Sequence, residues 1–213
     1  MLSKSKERIK EFGEVFTPEH VVEEMLDLIS QNNPKVWADL EVCLFEPTCG
    51  TGNFVVAIYK RRLEALKNLG VFEAITETLD TLWAIDIDYN NILACRSRII
   101  DLTFQFIEEN LAVKISKDYI KKHYDFFLHF ICAVQWQIHR NEALTALSCP
   151  DTVRKNANKT KASKEWFETL GHFPIDIDLT WCSYYKKCQE EQLIYIKEIY
   201  DAELFLESLK FDA

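Results

Sequence analysis

The chain has 213 residues, nearly half of them apolar, with a net charge of −9 and seven cysteines. That length buries one core with at most an appendage, and no apolar run is long enough to span a membrane. The odd cysteine count, without paired C-x-x-C spacing, fits reduced thiols in a cytoplasmic protein, with no metal site expected. The acidic balance excludes a surface that grips nucleic acid evenly by counterion release. Either such contact is confined to a local basic patch, or another chain supplies it, or nucleic acid is not the partner.

Residues 3–12 are polar and basic, a solvated helical or frayed lead-in and not a signal peptide. Thr17 as N-cap and Pro18 at the first helical position open an amphipathic helix with Val21, Val22, Met25, Leu26 and Ile29 as its apolar stripe. The run Val42-Cys43-Leu44 then predicts a strand, followed by the string FEPTCGTGNF, Phe45 to Phe54, and a helix reaching about Leu69, where Gly70 ends it. Gly50 and Gly52 give the backbone freedom at a strand–turn–helix corner whose helix start offers N–H groups to a polar or anionic ligand. Glu46, at the strand's tip, is placed to meet an amino group. Residues 71–80 are a second short helix or a loop.

Thr81 to Asp88 predicts the next strand, apolar until two carboxylates end it. An acid at this tip holds a ribose in many α/β nucleotide sites, and Asp86 is the candidate, with Asp88 one pleat further on; the alternative is that both merely begin the next helix, where acids suit its dipole. That helix carries Ile92, Leu93, Cys95, Ile99, Ile100 and Leu102 on its inner side. Residues 103–130 read as helical and aromatic, with His123 and His129 in core or rim positions, and Ile131 to Leu144 as a third strand with its exit. Asp151 to Lys164 has five Lys or Arg against one Asp, either a solvated loop or a mobile phosphate-contacting one. In HFPIDIDLTWCSYY the alternation Phe173, Ile175, Ile177 predicts a strand ending at Asp178-Leu179-Thr180-Trp181, and Glu190 to Ala213 an acidic amphipathic helix.

The string from Phe45 to Phe54 resembles motif I of the S-adenosylmethionine-dependent DNA amino-methyltransferases, adenine-modifying enzymes of restriction–modification systems and phages. Phe16-Thr17-Pro18 resembles their motif X, and its upstream position is the gamma-group order. The likeness covers Gly13 to roughly Arg98. It implies that Phe16, Thr17, Pro18, Glu46, Pro47, Cys49, Gly50, Gly52 and Phe54 cradle the cofactor's methionine half, that Asp86 holds its ribose, and that Ile87 packs on adenine. Glu142, in Asn141-Glu142-Ala143-Leu144, is a loose match to the adenine-contacting acid of motif III. The family's Pro-Pro motif, which aligns the target amine beside a flipped base, is missing; Asp178 and Trp181 stand where its acid and aromatic would fall, as a catalytic pair or as a plain strand end.

The resulting expectation is a single α/β domain with a doubly wound, mostly parallel sheet flanked by helices: a motif X helix at 1–30, a cofactor-binding core at 40–147, a basic loop at 151–165, an acidic helix at 189–213, and no separate target-recognition domain. Three functional readings follow. The first is methyl transfer to the adenine amino group in DNA. The second is a degenerate or split subunit that binds S-adenosylmethionine or a protein partner without methylating alone. The third is a methyltransferase of another substrate, since fold does not settle chemistry.

Overall fold

The structure, a computed structural model, describes Glu11 and residues 17–147, 160–170 and 174–211. Phe16, Phe173 and most of the basic stretch lie outside the described residues. Helix α1 (Glu19–Asn32) leads by a turn to strand β1 (Leu44–Glu46). Next come α2 (Asn53–Leu66), a 3-10 turn (Lys67–Leu69), α3 (Val71–Asp80) and β2 (Leu82–Asp86). After β2 follow α4 (Tyr89–Leu111), α5 (Lys117–Lys122), α6 (Tyr124–Gln137) and β3 (Ile138–Arg140). The remainder is helical: α7 (Ala143–Ala146), α8 (Lys161–Thr169), α9 (Trp181–Glu190) and α10 (Lys197–Ser208).

The three strands are parallel in the order β1-β2-β3, so the architecture is α/β. The strands on the far side of β1 that a doubly wound sheet requires are not found among the described residues. Register sets the geometry that matters. Leu44 pairs with Leu82 and Glu46 with Ala84, so β2 runs two residues past the end of β1. Side chains alternate along a strand. Leu82 and Ala84 join the helical core, so Asp86 shares their face, and the pairing puts Leu44 and Glu46 there too. Trp83 and Ile85 are buried on the opposite face.

Helix α6 is the centre of that core. Phe127, Phe130, Ile131, Cys132 and Val134 are all buried, against α3, α4 and α10. Its burial on nearly all sides explains one departure from the sequence reading. The expected strand from Ile131 is helix through Gln137, and only Ile138–Arg140 is extended, because periodicity does not separate a fully buried helix from a buried strand.

The alternation at Ile175 and Ile177 is not a strand either. Asp178 N–H donates to Asp176 Oδ1 in a side-chain-supported turn. The segment's carbonyls go to indoles instead of a ladder: Trp83 Nε1 donates to Ile177 O at 3.2 Å and Trp136 Nε1 to Leu179 O at 2.8 Å.

Other corrections are smaller. On α1 only Val22 and Leu26 are buried, while Met25 and Ile29 are 48% and 41% exposed, so the inner stripe is narrower than the apolar pattern. Thr17 does not cap this helix; Pro18 occupies the cap position with extended backbone. Leu93 is exposed on α4. Residues 71–80 are helix. The basic stretch is not loop throughout, since α8 begins at Lys161 with Thr160 as a side-chain cap. The acidic tail is helical only from Lys197. Among the described residues, no helix is long and apolar enough to cross a membrane.

Candidate nucleoside-binding site

The glycine turn forms at the carboxyl edge of the sheet, as an α/β nucleotide site requires. Cys49 N–H continues the ladder beyond β1 by donating to Ile85 O at 2.8 Å, and Gly52 N–H closes the turn onto Cys49 O at 2.8 Å. Both glycines have positive φ, +53° at Gly50 and +94° at Gly52. Their surroundings differ. A Cβ on Gly50 would meet nothing within 4 Å among the described residues, whereas one on Gly52 would come to 2.7 Å from Cys95 Sγ. Gly50 is therefore free of the described residues, and Gly52 lets the turn settle directly on α4.

Among the described residues no side chain caps α2, so its first amides and the positive end of its dipole are directed at the turn. A polar relay ties the N-terminal segment down over it. Arg98 Nη1 donates to Thr51 O and to Asn53 Oδ1, both at 2.8 Å, and Asn53 Nδ2 donates to Thr17 O at 2.9 Å. Thr17 and Pro18 are thereby held beside the glycines. Asn53→Ala breaks this relay; we expect a loss of about 1 kcal/mol in urea unfolding and faster amide exchange in residues 17–22.

Two carboxylates stand on the same face of adjacent strands, staggered by two residues. Asp86 Oδ2 accepts the Gly50 N–H at 2.9 Å, and Oδ1 accepts from Asp88 N–H at 2.8 Å and Asn91 Nδ2 at 3.2 Å. A carboxylate has about four lone-pair sites, so Oδ2 keeps room for one more donor. Glu46 Oε1 accepts from Thr48 N–H and Thr48 Oγ1 at 3.1 and 3.4 Å, and Oε2 has no hydrogen-bond partner among the described residues. Burial pushes the Glu46 carboxyl above its ordinary range and the nearby Asp86 charge adds to this, while the Thr48 bonds oppose it. Such a pair suits a donor-rich, positively charged ligand.

The remaining cofactor candidates divide by position. Pro47 and Phe54 flank the turn half-buried. Cys49 lies beneath it, its thiol 3.5 Å from Gly50 O, and contact with Cys95, then burial, pushes its pKa far up, so it is inert packing at neutral pH. Ile87 follows the strand tip half-buried, its carbonyl accepting from Arg140 Nε at 2.9 Å. Asp88 caps α4 by accepting from Asn90 N–H, the second of the roles open to it in the sequence.

Glu142 is buried and engaged within the protein. Its Oε2 caps α7 through Leu144 and Thr145 N–H, and its Oε1 accepts from Ser163 Oγ at 2.9 Å. The structure does not leave it presented to a ligand as the loose motif III match implies.

Asp178 and Trp181 are not brought to this edge. Asp178 acts electrostatically on Cys43, just before β1, and Cys182, next to Trp181, meets Asp80, just before β2. Both therefore sit at the amino edge of the sheet, about 13 Å of strand away from Asp86 at ~3.3 Å per residue. Trp181 is a core residue whose Nε1 donates to His129 Nδ1 at 3.1 Å. Asp178 is exposed in its turn, so Asp178→Asn should change stability by less than about 0.5 kcal/mol and leave ligand binding at the glycine turn untouched in calorimetry.

Asn53, Asn91, Arg98 and Cys95 complete the site; the sequence reading placed Cys95 only on the inner side of its helix and did not single out the other three. Asn53 alone carried a local signal, as an amide directly after the second glycine. No protein-family model, curated protein or solved structure matches this chain.

Proposed function

We propose that the chain is a nucleoside-cofactor-binding unit of the methyltransferase kind. It takes S-adenosylmethionine at the glycine turn and requires a second chain for transfer to the amino group of adenine in DNA. One observation carries this: Glu46 and Asp86 share a face at the carboxyl edge, opposite Gly50 and the uncapped start of α2. S-adenosylmethionine presents an ammonium, a sulfonium and ribose hydroxyls, so it relieves the repulsion between two carboxylates while supplying their missing donors. Within this reading Glu46 takes the ammonium, Asp86 Oδ2 one ribose hydroxyl, and Thr17 and Pro18 close over the methionine end.

The strand order β1-β2-β3 corresponds to one mononucleotide-binding half of a doubly wound sheet. Support for assigning transfer to a second chain is the distance of Asp178 and Trp181 from this edge and the lack of an aligned Pro-Pro segment. Methyl transfer to an amine needs alignment more than it needs a base, and alignment is the missing part.

Calorimetry with S-adenosylmethionine tests the reading. Binding at sub-millimolar concentration, weakened by Asp86→Asn, is expected; no binding rejects it. A labelled-methyl transfer assay on unmethylated DNA should show no incorporation with the chain alone. Transfer by the isolated chain would return the complete activity to this molecule.

A further inference from the structure

A second site, unrelated to the glycine turn, lies at the amino edge of the sheet. There α3, α6 and α9 enclose a cavity of about 270 Å³. Phe126, Phe130 and Trp181 supply most of its aromatic wall, with Ile75 and Leu79 from α3. Trp181 is fully buried and held by its bond to His129 and by stacking on Tyr185 at 5.7 Å and 24°, so that wall is rigid before any ligand arrives.

The charge around this cavity is one-sided. Asp80 and Asp125 line it, and among the described residues no Lys or Arg does. Neither carboxylate is in an ion pair among the described residues, and Asp80 accepts only the neutral Cys182 thiol. His129 does not supply the missing cation. Its Nδ1 accepts the Trp181 indole proton, so its own proton is on Nε2 and the ring is neutral; burial also holds its pKa below the ordinary value. An aromatic recess rimmed by two carboxylates, one of them bonded only to the Cys182 thiol, with no positive charge among the described residues that line it, complements one chemistry: a compact cation with an apolar body.

We infer that this cavity is a binding site for a small organic cation, an aryl or alkyl ammonium, whose apolar body enters among Phe126, Phe130 and Trp181 while its charge faces Asp80 and Asp125. Aromatic faces and carboxylates act together here, because a ring quadrupole attracts a desolvated cation and a carboxylate orients it. Thr76, exposed on α3, lies at the edge of the cavity.

The test is a titration of the full chain with benzyltrimethylammonium, followed by proton–nitrogen NMR on the Trp181 indole N–H, assigned with Trp181→Phe. Saturable movement of that resonance is expected, with binding about tenfold weaker in the Asp80→Asn, Asp125→Asn double variant and lost when Thr76→Tyr narrows the cavity. Both aspartates sit at the surface or near it, so circular dichroism should show the double variant folded; on the unaltered chain, benzyl alcohol serves as the neutral comparison and should bind far more weakly. Equal binding of the alcohol, no movement at millimolar cation, or movement confined to other tryptophans would overturn the assignment.

Discussion

Gly52→Ala lowers the stability of the chain by roughly 3 kcal/mol, from backbone strain and overpacking together, and disables the glycine turn. The φ of +94° lies outside the region that L-residues adopt comfortably, and the new methyl would stand 2.7 Å from Cys95 Sγ and 3.2 Å from Cys95 Cβ. Gly50→Ala is the control. Its φ of +53° falls in the left-handed well and its Cβ meets nothing among the described residues, so a loss of only about 1 kcal/mol is expected.

Adding Cys95→Ala to Gly52→Ala removes the sulfur but not the Cβ contact. The double variant should recover part of the loss, the remainder being the backbone conformation. Urea unfolding of the four proteins decides the matter: equal costs at the two glycines would mean that the turn does not rest on α4.

Glu46→Gln is expected to raise stability at neutral pH while cutting affinity for S-adenosylmethionine by tenfold or more. The folded state raises the pKa of Glu46 above its ordinary 4.5, through burial first. A carboxyl shifted upward contributes stability that is fully present below its unfolded value and lost as pH rises through the folded value. At neutral pH the buried charge is therefore a net cost, and removing it should gain roughly 0.5–1 kcal/mol. Below pH 4.5 the gain should vanish.

The amide oxygen of glutamine can keep the Thr48 bonds, so the local turn survives. The bond from the ligand's ammonium loses its charged acceptor, an effect of about 1.5–3 kcal/mol. Thermal unfolding on both sides of that pH, with calorimetry at neutral pH, checks the two halves separately. A variant less stable than the parent at neutral pH would show that Glu46 is a structural carboxylate, and unchanged affinity would remove it from the site.

The parts of the site that were legible beforehand share one property: each is dictated within a few residues. A strand run, two glycines and a helical pattern place Gly50 and Gly52 at a carboxyl edge. The apolar run that ends in acids places Asp86 at the next one. Chain neighbours cannot reveal that Gly52 is small because of Cys95, or that Arg98 and Asn53 hold Thr17 in place, since those contacts join separate helices.

The second half of the chain was less legible for two physical reasons. Burial erases periodicity, so the second half of α6, from Ile131, took on the appearance of a strand. A polar side chain also has several ways to be satisfied: Glu142 was open to a ligand in the sequence, and α7 and Ser163 take it in the fold.

The sequence by itself determined a strand–turn–helix corner and an acid at the neighbouring strand tip, because turn chemistry and alternation act over a few bonds. Only the tertiary structure decided which edge of the sheet each polar group would occupy. Asp178 and Trp181 are delivered to the amino edge by a crossing segment that Trp83 grips from 94 residues away and Trp136 from 43. Glu46 and Asp86 meet at the opposite edge because the register of parallel strands carries one two residues beyond the other.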